Sequence, residues 1–311
     1  MPSTEHQMQR AKRARLMTDD SLLRDSGLAL HEAERLLMAV TGRSRSGLYT
    51  GGAPTAGERA RFALLVARRR AGEPLQYLEG IIPFGPVDLR VDGRALIPRP
   101  ETEYLWEQAA QAIDGAGPGT RIVDLCTGSG ALAVALQKAF PEARVTATDL
   151  SEEALALAAE NAAMNDVTVD FYQGDLFAAL PAAMKGRIDL LVTNPPYVSE
   201  AEYRALPDEI RSYEPRAALV AGPDGDEILE RIAAEVHGWL AEGGWLFCEI
   251  GETQGERALE LFGGRLFCEV RDDLSGRPRI LVTRQGHLET PNPGLRGAHS
   301  ASTSPGFSGT S

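Results

Sequence analysis

Asn194-Pro195-Pro196-Tyr197 follows directly on the apolar run Ile188 to Thr193, and these residue types suit one kind of chemistry. An amide or exocyclic amine nitrogen is a poor nucleophile because its lone pair is delocalised into the neighbouring π-system. Two acceptors, the Asn194 side-chain oxygen and the Pro195 backbone carbonyl, can bind both N–H hydrogens and turn the lone pair toward an electrophilic methyl. Proline fixes the backbone and brings no N–H of its own. Tyr197 can stack on a planar substrate group and hold it in line. Asn194, Pro195 and Tyr197 are thus the candidate catalytic residues, and with Pro196 they form the candidate substrate-binding stretch.

A second constellation lies upstream. Ile122-Val123-Asp124-Leu125-Cys126-Thr127-Gly128-Ser129-Gly130 reads as a strand entering a Gly-rich turn and then a helix, and ligands bind at such strand ends in open α/β sheets. Gly128 and Gly130 let the backbone approach a ligand, and the free N–H groups of the new helix favour an anion or carboxylate. Asp149 ends the next strand, where a carboxylate can accept hydrogen bonds from both hydroxyls of a ribose. Gly128, Gly130 and Ala133 also satisfy the dinucleotide pattern GxGxxA, with Asp149 19 residues past Gly130, so a nicotinamide-dependent oxidoreductase fits this stretch equally well.

These residues need a scaffold of alternating elements. From Thr120 onward, strand-like runs (Arg121 to Cys126, Arg144 to Asp149, Val167 to Tyr172, Ile188 to Thr193) alternate with helical ones (Ala131 to Phe140, Glu152 to Met164), which predicts a mostly parallel sheet with helices on both faces. After a Pro-rich stretch at 195–215, the pattern predicts a helix at Asp226 to Leu240, a strand at Trp245 to Ile250 and a helix at Gln254 to Phe262. Two closing strands, Leu266 to Asp272 and Pro278 to Thr283, complete it. Upstream, Ala33, Leu36, Leu37 and Val40, then Phe62, Leu65, Val66 and Arg69, recur at helical spacing and predict a small helical bundle. Val87, Leu89 and Val91 alternate after Phe84 and predict a short hairpin; beyond Pro98 and Pro100, Glu101 and Glu103 place negative charge in the first turn of a new helix. The expected division is a helical segment at 1–80, a hairpin linker at 81–100, a catalytic domain at 101–285 and a disordered tail at 286–311, where 16 residues are Gly, Pro, Ser or Thr.

The net charge of -12 opposes a generic nucleic-acid binder. Residues 1–80 carry 13 Lys and Arg against 9 Asp and Glu, so the positive segment faces a remainder of net -16. No apolar run reaches the length of a membrane span, and the polar start and three scattered cysteines, Cys126, Cys248 and Cys268, suit a reducing cytoplasm. All three cysteines are expected to be buried small hydrophobes, and the five histidines show no ligand spacing, so no metal is expected. Arg68, Arg69 and Arg70 read as a solvated helix end or, alternatively, a partner contact.

The motifs together resemble the class I S-adenosylmethionine-dependent methyltransferases and, within them, the PrmC/HemK family of release-factor glutamine methyltransferases. The resemblance spans roughly residues 20–283. It rests on Pro74-Leu75-Gln76-Tyr77-Leu78, Leu96-Ile97-Pro98-Arg99-Pro100-Glu101-Thr102-Glu103, Asp124 to Gly130, Asn194 to Tyr197, Glu249-Ile250-Gly251 with Gln254, and Asp273-Leu274-Ser275-Gly276-Arg277. It implies an α/β fold with a doubly wound seven-stranded sheet and an N-terminal helical substrate-recognition domain. It further implies methyl transfer from S-adenosylmethionine to the amide nitrogen of the glutamine in the Gly-Gly-Gln loop of peptide chain release factors. By the same resemblance Asp124, Leu125, Cys126, Thr127, Gly128 and Gly130 line the cofactor, with Asp124 and the Gly128 backbone at its methionine end. Asp149 holds the ribose, Asp175 and the Leu176 backbone the adenine edge, and Asn194 borders both cofactor and substrate. Cys126 stands where the broader pattern prefers Gly, and Leu176 where some relatives carry an aromatic residue. A glutamine methyltransferase of a large-subunit ribosomal protein would share nearly every motif. A nucleic-acid adenine-amine methyltransferase shares the tetrapeptide, but the acidic balance after residue 80 opposes it.

Overall fold

A computed structural model describes residues 22–264 and 267–286. The tail expected at 286–311 therefore lies, beyond Gly286, outside the described residues, as does the start of the chain.

The helical segment comprises α1 (Leu30–Thr41), α2 (Arg45–Thr50), α3 (Ala56–Arg70) and α4 (Leu75–Glu79). Ala33, Leu36, Leu37 and Val40, the spacing that predicted α1, are its buried stripe, and they meet Phe62 and Val66 of α3 and Leu75 and Leu78 of α4. α3 starts with a full capping box, Thr55 accepting from the Glu58 N–H while Glu58 accepts from that of Thr55. Every buried member of this cluster lies between residues 23 and 78, so the segment has a core of its own. Of the arginine run, Arg68 and Arg70 are exposed, Arg68 pairing with Glu73 at 2.5 Å, while the more buried Arg69 bridges Glu32 at 2.7 Å and Glu209 at 3.0 Å.

The hairpin is β1 (Ile81–Phe84) paired antiparallel with β2 (Val87–Arg90). It does more than connect: Ile82, Phe84, Val87 and Leu89 are buried in the same cluster as the helices that cover the main sheet. α5 (Pro100–Ala112) opens with proline in its first turn and Glu101 and Glu103 beside its N-terminus, as expected. There follow β3 (Arg121–Leu125), α6 (Ala131–Ala139), β4 (Arg144–Asp149), α7 (Glu152–Met164), β5 (Asp170–Gln173) and β6 (Ile188–Thr193). The Pro-rich stretch is itself folded into β7 (Val198–Ser199), α8 (Glu200–Ala205), α9 (Asp208–Tyr213) and β8 (Val220–Gly222). α10 (Glu227–Glu235), β9 (Leu240–Glu249), α11 (Gly255–Phe262), β10 (Phe267–Asp272) and β11 (Pro278–Arg284) close the fold.

The main sheet has seven strands in the order β10-β11-β9-β6-β3-β4-β5, parallel except for β11 and β10, which run antiparallel to their neighbours. Its central strands are buried on both faces: Ile122, Leu190 and Val192 point into one core with α5 to α7 and the hairpin. Val123, Leu125 and Leu191 point into the other with α10 and α11. Such double burial is why these strands read as continuous apolar runs, each fully buried aliphatic side chain contributing about 1.5–3 kcal/mol. Two boundaries differ from expectation. β5 begins at Asp170 rather than Val167, whose N–H is used to close α7 on the Ala162 carbonyl. The helix expected to reach Leu240 stops at Glu235, and Leu240 already pairs with Ile188 as the first residue of β9. Among the described residues, no helix is long and apolar enough to cross a membrane.

Candidate active site

Register sets the site. Leu125 pairs with Thr148 on one side and Thr193 on the other, and Thr193 pairs with Cys248. The residues that follow, Cys126, Asp149, Asn194 and Glu249, therefore emerge in one row at the carboxyl edge of the sheet. β3 leads outward to β4 and β5, and β6 leads the other way to β9, so the row straddles the topological switch point. Thr193 fastens it by donating its hydroxyl to the Leu125 carbonyl at 2.8 Å.

The turn after β3 is sharper than sequence alone shows. Cys126 has φ 57°, the left-handed region that costs a side chain roughly 1–2 kcal/mol, which is the physical reason for a glycine preference there. Leu125 and Thr127 are buried, and the Thr127 backbone is engaged within the fold, its N–H donating to the Thr148 carbonyl and its carbonyl accepting from the Gly130 N–H, both at 2.9 Å. A Cβ at Gly128 would meet nothing nearer than Ala95 at 3.9 Å, so the approach over this residue is open. At Gly130 the space is already taken: a Cβ would stand 3.0 Å from that of Ala158, so this glycine serves the packing of α6 on α7. The Gly128 N–H is turned not outward but onto Asp149 Oδ2, at 2.8 Å, and Ser151 N–H donates to Asp149 Oδ1 at 2.9 Å. Each carboxylate oxygen keeps a further lone pair for a hydroxyl. Burial raises the Asp149 carboxyl above its ordinary range despite these bonds.

Asp124 is almost fully buried. Its Oδ2 accepts from the Thr127 hydroxyl at 2.6 Å and the Ala133 N–H at 3.1 Å, while Oδ1 has no partner among the described residues. Burial pushes this carboxyl up to about 7, against the pull of those two donors. Asp175 is half exposed and paired with Arg231 of α10 at 2.8 Å, a partner the sequence did not suggest. Leu176, at φ 47°, is buried. Cys248 is buried as expected, whereas Cys126 and Cys268 are only partly so.

Around the tetrapeptide the structure adds residues that sequence reasoning quoted without giving them roles. Asn194 Nδ2 donates to Thr102 Oγ1 at 3.0 Å, and Thr102 Oγ1 donates to Glu249 Oε2 at 2.6 Å. The Tyr197 hydroxyl donates to Glu249 Oε1 at a long 3.4 Å. Among the described residues no donor engages Asn194 Oδ1 or the Pro195 carbonyl. Burial lifts the Glu249 carboxyl to about 7, opposed by the Thr102 hydroxyl and the charge of Arg279. Burial, then the neighbouring Glu249 charge, lifts the Tyr197 phenol well above its usual range and keeps it protonated. Gln254 holds the following loop, accepting from the Gly251 N–H at 2.8 Å and donating to the Gly225 carbonyl and Asp226. Upstream, Glu214 is buried, accepts from the Ile97 N–H at 3.1 Å and pairs with Arg99, which fixes the segment leading to Thr102. An acidic residue inside the apolar run Trp245 to Ile250 is the available signal for Glu249.

The PrmC N-terminal domain family matches residues 20–80 and the methyltransferase small domain family matches residues 105–210. Release factor glutamine methyltransferase of Deinococcus radiodurans is 40% identical over 257 residues, 82% of this chain and 90% of that one. The protein of the same name from Bordetella pertussis is 43% identical over 265 residues, 83% of this chain and 96% of that one. The one from Koribacter versatilis is 38% identical over 255 residues, 81% and 90% of the two chains.

Proposed function

The chain belongs to the release factor glutamine methyltransferase family, and we propose that it transfers a methyl group from S-adenosylmethionine to the side-chain amide nitrogen of the glutamine in the Gly-Gly-Gln loop of a peptide chain release factor. The observation that carries this reading is the pair of acceptors undonated among the described residues, Asn194 Oδ1 and the Pro195 carbonyl, set at the switch point with β3 between them and Asp149. Two N–H groups of a primary amide match two acceptors.

The cofactor supplies an electrophilic sulfonium methyl. Three features support its fit here: the unpartnered, buried Asp124 Oδ1, the open approach over Gly128, and the spare lone pairs of Asp149. Asp124 would hold the methionine amine, Asp149 the ribose hydroxyls, and Asp175 with the Leu176 backbone the adenine edge. Asn194 and Pro195 bind the amide hydrogens and turn the lone pair toward the methyl. Tyr197 and Pro196 wall the planar group, and a ring that stacks needs no ionised hydroxyl. No strong base is required, because the nitrogen sheds its proton readily once alkylated. Neither nucleic acid nor membrane enters this scheme, and the place of action is the cytoplasm, where release factors work. Incubation with labelled S-adenosylmethionine and intact release factor, then peptide mapping, tests the reading. Label on that glutamine supports it; label confined to a ribosomal protein or to adenine rejects it.

Asp124 makes cofactor affinity pH-dependent. A cationic amine needs the ionised carboxylate, and with the free carboxyl near 7, lowering the pH neutralises it. Binding measured by calorimetry should weaken about tenfold from about pH 7 to about pH 5.5 and be flatter above 7. Asp124→Asn should bind weakly throughout and lose the slope; an unchanged slope in that variant would remove Asp124 from the methionine end.

The helical segment at 1–80 is read as the substrate-recognition unit. Its separate core and its opposite charge support this. A chain starting at Ile81 should keep cofactor affinity and methylate intact release factor at least about tenfold more slowly, the scale of a modest binding contribution. Equal rates for the two chains would show that recognition lies elsewhere.

A further inference from the structure

Asn194 can act as an acceptor only if its amide is the right way round, since the same side chain rotated by half a turn offers N–H groups instead. Hydrogen-bond logic around Thr102 ties the orientation to the charge of Glu249. When Glu249 is ionised it is acceptor-only, and the 2.6 Å contact between Thr102 Oγ1 and Glu249 Oε2 then carries the threonine's single hydroxyl hydrogen. Thr102 is left with lone pairs on its other side. The group 3.0 Å away on Asn194 must then be Nδ2, and Oδ1 points away from it.

We propose that Thr102 and Glu249 are positioning residues: the buried carboxylate orients the threonine hydroxyl, and the hydroxyl in turn locks the Asn194 amide with its oxygen facing the substrate nitrogen. The inference rests on the amide-transfer reading and deepens it. It gives a role to two stretches, Pro98 to Glu103, which delivers Thr102 on the first turn of α5, and Glu249 to Gly251. Glu249 is surrounded by groups that bear on its charge from every side. Thr102 donates from α5, Tyr197 from the loop after β6, and Arg279 of β11 lends positive charge, while Glu101 opposes ionisation. Were Glu249 neutral, it could donate to Thr102 Oγ1; the threonine hydrogen would then turn to Asn194 and invert the amide.

Four variants separate this from a merely structural role. Thr102→Ser keeps the hydroxyl and should turn over at nearly the wild-type rate. Thr102→Val keeps the shape and loses the hydroxyl, and should lower kcat about tenfold with KM for S-adenosylmethionine unchanged, the scale of one active-site hydrogen bond. Glu249→Gln can donate to Thr102 and so favours the inverted amide; kcat should again fall about tenfold although the side chain is isosteric. In an Asn194→Ala background the Thr102→Val change should have less than about a twofold further effect, because the residue it positions is gone. Melting curves and label mapping accompany each rate. Equal rates for Thr102→Val and Thr102→Ser, or an undiminished Thr102→Val effect in the Asn194→Ala background, would overturn the proposal. Absence of label from glutamine in the wild-type protein would instead reject the amide-transfer reading itself.

Discussion

Asn194→Ala should lower turnover by about 100-fold or more, the scale seen when one preorganised hydrogen-bonding group is removed from an active site. With the acceptor gone, one amide hydrogen of the substrate has no partner, and the nitrogen lone pair stays conjugated with its own carbonyl. Cofactor affinity should fall much less than turnover, because Asp124 and Asp149 stand on other strands. Asn194→Asp keeps an oxygen in place but changes the contact with Thr102. The replaced Nδ2 would become an oxygen facing Thr102 Oγ1, whose hydrogen is already committed to Glu249. Two carboxylates would compete for one hydroxyl proton, and one of them would be forced toward its neutral form. Once neutral, the introduced carboxyl can donate to Thr102 in place of Nδ2 and keep its other oxygen as acceptor, so the Asp variant should retain more activity than Ala. Tyr197→Phe should be mild, since its hydroxyl reaches Glu249 only at 3.4 Å, whereas Tyr197→Ala removes the stacking wall and should be severe. Single-turnover transfer of labelled methyl to release factor measures all four. Near-normal transfer by Asn194→Ala, with label still on glutamine, would mean that another group holds the amide.

Some of this was visible in the sequence for a definite reason. Asp149 ends its strand and Asn194 directly follows an apolar one, and in a parallel sheet all strands point their ends to one edge, so polar residues there converge without any knowledge of strand order. The sheet itself was legible because strands buried on both faces leave continuous apolar runs. Strand limits were less so. Val167 is as apolar as a strand residue, but it caps α7, and Leu240 lies among helix-compatible residues and is drawn into β9 by pairing with Ile188. The relay was invisible for a different reason. Thr102 and Glu249 are 147 residues apart, and Thr102 and Asn194 are 92 apart, so no local spacing links them. The same holds for Gly130, whose neighbour Ala158 lies on the following helix, and for the pairing of Arg69 with Glu209, which turns a surface charge run into a contact between the two parts of the chain.

The second large effect concerns stability. Glu214 lies 115 residues from Arg99 and 117 from Ile97 in sequence, yet its carboxylate accepts from both. Its side chain is 2% exposed and that of Arg99 30%. Truncation to alanine leaves a buried N–H and a half-buried guanidinium without their acceptor. Breaking a buried pair in this way costs about 3–5 kcal/mol, and the partial exposure of Arg99 argues for the lower end. At roughly 2–4 °C per kcal/mol for a domain of this size, the melting temperature of Glu214→Ala should fall by about 6–12 °C. Glu214→Gln keeps an acceptor for the Ile97 N–H and should lose less. Because Ile97 and Arg99 immediately precede the turn that carries Thr102, the alanine variant should also lose turnover well below its melting point, with cofactor affinity retained. A melting temperature within about 2 °C of wild type would show that Pro98 and Pro100, by fixing their own backbone angles, hold this segment without the carboxylate.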